Sequence, residues 1–147
     1  MINQPIITLI PEENKVMLIE DYILEHNNIK IVVPKYFKSD GASIPWYGQR
    51  LTYTPFHPLC LGPAIAHDWL DINHQVSFKD AANILYDLLI LNDANRIKSK
   101  IIYKSVLFGG RKYWDHTQKD IESVRELYEM CRKSERFNEY HFPEYLI

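Results

Sequence analysis

A chain of 147 residues that is 46% hydrophobic and 24% charged is long enough to bury a core without staples and too apolar to be disordered. Its formal net charge of -2 excludes an overall field that would draw it to nucleic acid or anionic lipid, so either partner would need a local patch. Two cysteines in no CxxC spacing, Cys60 and Cys131, are expected as buried thiols of a reducing compartment. The first residues, MINQPIITLIPEEN, lack the basic start and long apolar run of a signal peptide. No apolar run reaches the length of a membrane span. The expected setting is the cytoplasm, or a particle packaged from it.

In chain order, the first third reads as strands. Ile6–Ile10 is a short β-rich run ended by Pro11. Lys15–Glu20 follows after a connection of hairpin length, Tyr22–Glu25 is a third run, and Ile29–Val33, opened by Asn27-Asn28, is a fourth. Connections this short favour antiparallel pairing into one small sheet. From Pro34 to about Pro63, five prolines and three glycines predict an irregular stretch. Its aromatics (Tyr36, Phe37, Trp46, Tyr47, Tyr53, Phe56) argue that it is ordered, and a long ordered loop in a small domain hints at function.

The remainder reads as about four helices. Pro63 is expected in the first turn of a helix ending near Asn73. Ser77 with Asp80 opens a second helix to Asn92 in a capping-box arrangement, with Ala81, Ile84, Leu85, Leu88 and Leu89 as its apolar stripe. A third, from Ala94 to Gly109-Gly110, carries Ile97, Ile101 and Phe108. A fourth runs from about Thr117 to Lys133 with Ile121, Val124, Leu127, Tyr128 and Cys131 on one face. The aromatic tail from Phe137 to Ile147 is expected to lie against the body. The fold class is α+β: a small N-terminal antiparallel sheet, a long ordered loop, then helices, in one domain over 1–147.

Two clusters could carry chemistry. In Ser39-Asp40-Gly41-Ala42-Ser43-Ile44-Pro45, Gly41 permits a tight turn beside a carboxylate and a hydroxyl. His67-Asp68 lies on a helix, with Asp71 one turn beyond His67 and Asp68 about 100° away around the axis. A histidine on a helix with a carboxylate in reach suits a general base, because the partner fixes its tautomer and raises its basicity. Asp40 and Asp68 could instead hold a hard divalent cation, which wants several oxygens. The bland alternatives are an Asx and Ser turn that satisfies backbone donors, and a His-Asp pair that arises by chance in a chain of this composition.

The run Val33–Pro45, then His67-Asp68-Trp69-Leu70, then Lys79–Tyr86 resembles the phage and prophage family of domain of unknown function 1353. That family's pattern is Pro-x-Gly-Phe-x-Thr-Asp-Gly-x-Ser-Ile-Pro, a helical His-Asp-x-Leu-Tyr and an Ala-Asp-x-x-Phe on the next helix. Phe108-Gly109-Gly110 to Trp114 resembles its Phe-Gly-x-x-x-Trp ending, and the likeness covers roughly residues 30 to 115. The family's Gly before Phe is Tyr36 here, its Thr is Ser39, and the Tyr after His-Asp-x-Leu is Asp71. Its second-helix Asp falls on Asn83, with Asp71, Asp80 and Asp87 as possible substitutes. The resemblance implies a phage or prophage origin and a meeting of Asp40, Ser43, His67 and Asp68 in space. It implies no activity.

Three functions follow, and the sequence leaves open whether the chain is an enzyme. The first is a non-catalytic virion, tail-associated or host-factor-binding protein, whose Asp40, Ser43, His67 and Asp68 form a buried polar network and whose exposed loop and tail aromatics form an interface to a phage or host protein. The second is a small hydrolase with His67 as general base, oriented by Asp71 or Asn83. There Asp40 and Asp68 would bind a cation or water, and Ser43 would serve the developing oxyanion. Its outline is similar to the phospholipase A2 site, without that family's disulfides or Gly-rich calcium loop. A metal phosphohydrolase of the HD type needs an upstream helical histidine, which His26 and His57 are poorly placed to supply. The third is nucleic-acid binding through the basic segment 96–112, which the overall charge does not support. A bacterial host cytoplasm or a phage virion is the location that fits all three.

Overall fold

The computed structural model describes residues 1–44, 48, 50–115 and 118–146, with the side chains of 118 and 119 aside. Expectations that involve Pro45, Trp46, Tyr47, Thr117 and Ile147 therefore lie outside the described residues. The architecture is α+β, a strand-rich N-terminal third followed by helices.

The four expected strands are present as β1 (Ile7–Ile10), β2 (Lys15–Leu18), β3 (Tyr22–His26) and β4 (Ile29–Val33). Asn27 and Asn28 take φ of 48° and 64°, the left-handed pair that a two-residue hairpin turn demands and that asparagine tolerates. The strands do not form one sheet, however. Among the described residues β3 and β4 pair alone, while β1 and β2 join a fifth strand, β5 (Lys38–Ser39), within the stretch expected to be irregular. β5 is antiparallel to β2, with Val16 opposite Ser39 and Met17 opposite Lys38. Side chains alternate along a strand, so this register turns Ser39 inward and Lys38 outward.

The irregular stretch is also shorter at its far end. Helix α1 spans Pro58–Asn73 with Pro58 in its first turn, and Pro63 lies inside it rather than at its start. A proline there cannot donate to the carbonyl of Leu59, which would normally bar it from a helix interior. The side chain of Asn92, fully buried, supplies the missing donor: its Nδ2 reaches the carbonyls of Leu59 at 2.9 Å and Pro58 at 3.3 Å. Gln4 in turn donates to Asn92 Oδ1 at 2.8 Å. The N-cap is His57, whose Nδ1 accepts from Leu59 N at 3.1 Å.

α1 is the hub of the core. Ile65, Ala66, Trp69 and Leu70 are almost fully enclosed together with Ile31, Val32 and Val33 of β4. Trp69 meets Phe37 edge-on at 5.4 Å and Phe142 at 5.3 Å. The tail thus lies on the body as expected, pinned further by Tyr140, whose hydroxyl donates to Asp21. Helix α2 (Phe78–Leu91) starts at Ser77, whose Oγ accepts from Asp80 N at 3.1 Å, and buries its expected stripe. Helix α3 (Arg96–Gly109) is capped by Asn95 and followed by the short α4 (Arg111–Trp114) and by α5 (Gln118–Cys131).

The packing of α3 and of the loop and tail aromatics is set by contacts the sequence does not show. On α3 the buried residues are Ser99 and Ile102, while Ile97 and Phe108 are 73% and 88% exposed. Adjacent Ile101 and Ile102 start two stripes of equal period, and only contact with α2 selects between them. Among the described loop aromatics, Phe37 and Tyr53 are buried and Tyr36 and Phe56 half-buried, so they serve the core rather than an interface. Tail residues Phe137 and Phe142 likewise pack on the core and Tyr140 lies within it, while Tyr145 is exposed. Cys60 and Cys131 are free and buried, as expected.

Candidate functional site

β5 and α1 build the site between them. The inward-facing Ser39 donates its hydroxyl to Asp68 Oδ2 at 2.5 Å, and its Oγ accepts from Gly41 N at 2.9 Å. This ties the turn after β5 to the middle of α1. The turn is possible because Gly41 takes φ of 72° against the carbonyl of Pro55, to which Ala42 N donates at 2.9 Å. Another left-handed residue sits upstream: Tyr36, at φ 77°, stands where the resemblance has glycine, and bears a conformation that β-carbon-bearing residues avoid.

One turn of α1 brings His67 and Asp71 together, with Nε2 and Oδ1 3.6 Å apart and both residues buried. That distance is too long for a hydrogen bond, and among the described residues neither atom has another partner. Burial pushes the His67 imidazole down to about 4 and the Asp71 carboxyl up to about 7, as removal from water disfavours each charged form. Asp68 is half-buried. Its carboxyl is held well above the usual range, first by burial and then by the negative charges of Asp40 and Asp71, against the Ser39 hydrogen bond and Lys15. One ligand atom each from His67, Asp68 and Asp71 fall within 4.8 Å of one another. Three groups of this kind, two of them unsatisfied, form a donor set that a divalent cation would complete.

Of the residues singled out from sequence, His67 and Asp68 are thus brought together, while Asp40 is exposed and near enough for its charge to act on Asp68. Ser43 is exposed, and among the described residues no hydrogen bond joins it to His67, Asp68 or Asp71. Its amide donates to Gly41 O. The serine that reaches the cluster is Ser39. Of the proposed partners for His67, Asp71 is the one beside it. Asn83 is exposed and accepts from Tyr103 Oη at 2.9 Å, so asparagine there leaves the His67 pair untouched. Asp87 pairs with His26 at 2.9 Å, and His57 caps α1, so neither of these two histidines joins the cluster.

The larger of two described grooves, about 700 Å³, lies away from this cluster, between Asn27, Asn83, Asp87, Lys100 and Tyr103. It contains no buried unsatisfied group, and size alone does not make it the seat of chemistry.

Residues 16–106 match the model of a family described as "Protein of unknown function (DUF1353)", and the chain belongs to that family. It is similar to "Uncharacterized protein y4iH" of Sinorhizobium fredii, 31% identical over 78 residues. That alignment takes in 52% of this chain and 33% of the relative, so the chain spans about a third of the relative's length. No solved structure matches.

Proposed function

For this member of the DUF1353 family, we propose a small, single-domain hydrolase of phage or prophage origin that depends on a divalent cation. The observation that carries the reading is the buried His67–Asp71 pair, whose facing Nε2 and Oδ1 have no hydrogen-bond partner among the described residues, beside the crowded carboxylate of Asp68. Asp68, with Asp40 at the rim, would hold a hard cation beside His67 and Asp71, and that cation would supply charge to offset the repulsion between the carboxylates and to acidify a water. His67, neutral at pH 7, accepts the proton of that water, and Asp71 stabilises the imidazolium that results. Ser43, exposed on the same turn, is the candidate donor to the developing negative charge.

A second reading rests on the Ser39–Asp68 and Gly41–Ser39 hydrogen bonds. In it Asp40, Ser43, His67 and Asp68 belong to a polar clasp in a virion, tail-associated or host-factor-binding protein, acting in the host cytoplasm or the virion on a phage or host protein.

The two separate on His67→Gln. Ester, amide and phosphodiester chromogenic substrates are screened with calcium, magnesium or manganese and with a chelator. The hydrolase reading expects a chelator-sensitive rate that falls at least 100-fold in His67→Gln with cation binding retained. No cation-dependent rate in the wild type, or an equal rate in the variant, would sink it. Loss of cation binding in His67→Gln would make His67 a ligand and remove its role as base.

A further inference from the structure

We propose that the outward face of α3 and α4 docks the protein on an anionic lipid surface. Residues 94–114 hold six of the chain's 17 lysines and arginines and no acidic residue, although the chain as a whole is acidic. α3 turns Ser99 and Ile102 inward, so the helical repeat presents Ile97, Ile101, Lys104 and Phe108 on the far side. Ile97 is 73% exposed and Phe108 88%, and Tyr113 of α4 is 56% exposed. Lys98 and Arg111 are engaged over the rings of Tyr53 and Phe78. Arg96, Lys100 and Lys104 are exposed around the apolar strip, as is Lys112, which lies over the ring of Tyr113. Among neighbouring acids, Asp80 and Asp87 share a groove with Lys100 at one edge.

Large apolar side chains rimmed by cations are the chemistry of a helix lying in a headgroup layer, where apolar groups enter the acyl boundary and ammonium groups meet lipid phosphates. A nucleic-acid duplex would use the cations and leave Ile97 and Phe108 wet. The helix lies on the membrane and does not cross it: among the described residues none is long and apolar enough to do so.

The test is co-sedimentation of the full chain with vesicles of phosphatidylglycerol and phosphatidylcholine, against vesicles of phosphatidylcholine alone and a fluorescent 20-base-pair DNA duplex. Binding is expected only to the anionic vesicles, with at least tenfold loss in the double variant Ile97→Ser, Phe108→Ser and in Lys100→Gln, Lys104→Gln. All four side chains point to solvent or are half-free of the core, and circular dichroism checks that the variants fold. No binding to anionic vesicles overturns the proposal, as does vesicle binding undiminished by the serine pair. Duplex binding as tight as vesicle binding and indifferent to the serine pair would assign the face to nucleic acid instead.

Discussion

Gly41→Ala is expected to destabilise the fold by roughly 3–5 kcal/mol, the range of backbone strain combined with a steric clash. At φ of 72° an alanine already sits in a region that L side chains avoid, and its Cβ would stand 2.1 Å from the carbonyl oxygen of Pro55. The obstacle is backbone and cannot rotate aside. Nor can the turn retreat freely, because Ala42 N is bonded to that same oxygen and Gly41 N to Ser39 Oγ. Urea titration followed by circular dichroism measures the cost. Since the same turn carries Asp40, a folded remnant should also bind cations poorly. A cost under about 1 kcal/mol, the size of an ordinary surface change, would mean that the turn does not pack on Pro55 as described.

The second large effect concerns Asp71 in chelator-treated protein. Its carboxyl titrates near 7 in the fold against an ordinary 3.8, so between those pH values the folded chain keeps a proton that the unfolded chain has lost. Stability therefore falls as pH rises from about 4 to about 7 and stays low above. His67 acts in the opposite sense. It titrates near 4 in the fold against an ordinary 6.5, so the unfolded chain binds the extra proton, and stability rises across that window. The two slopes offset one another up to pH 6.5, and Asp68, also raised, pulls in the direction of Asp71. Asp71→Asn removes the cost of ionising this buried carboxyl. The variant should be more stable than the wild type at pH 8 by on the order of 2–4 kcal/mol, with the margin vanishing near pH 4. Thermal unfolding at both pH values checks it. A variant less stable at pH 8 would show that Asp71 is ionised and paired in the fold.

Much of this was legible in the residues because it depended on local chemistry. The four strands, the Asn27-Asn28 turn, the Ser77 cap and the α2 stripe all announce themselves within a few positions. His67 and Asp71 could be paired because four residues make one helical turn. What escaped was set at long range. β5 is two residues long and exists because Val16 lies opposite Ser39; without that register nothing distinguishes Ser39 from Ser43 as the serine facing Asp68. Pro63 reads as a helix start because proline favours the first turn, and it can lie inside α1 only because Asn92, at the end of another helix, supplies the donor it lacks. His57 is an unusual cap, since serine, threonine, aspartate and asparagine dominate that position. On α3 the period alone does not say which apolar residues face inward, and the buried ones are Ser99 and Ile102.

The most direct test of the cation site is calorimetric titration of calcium and manganese into chelator-stripped protein at pH 7.5, for the wild type, Asp68→Asn and Asp40→Asn. One cation per chain is expected for the wild type, no binding for Asp68→Asn and at least tenfold weaker binding for Asp40→Asn, with all three folded. A wild type that binds neither ion at millimolar concentration, or an Asp68→Asn variant that binds as well as the wild type, would contradict it.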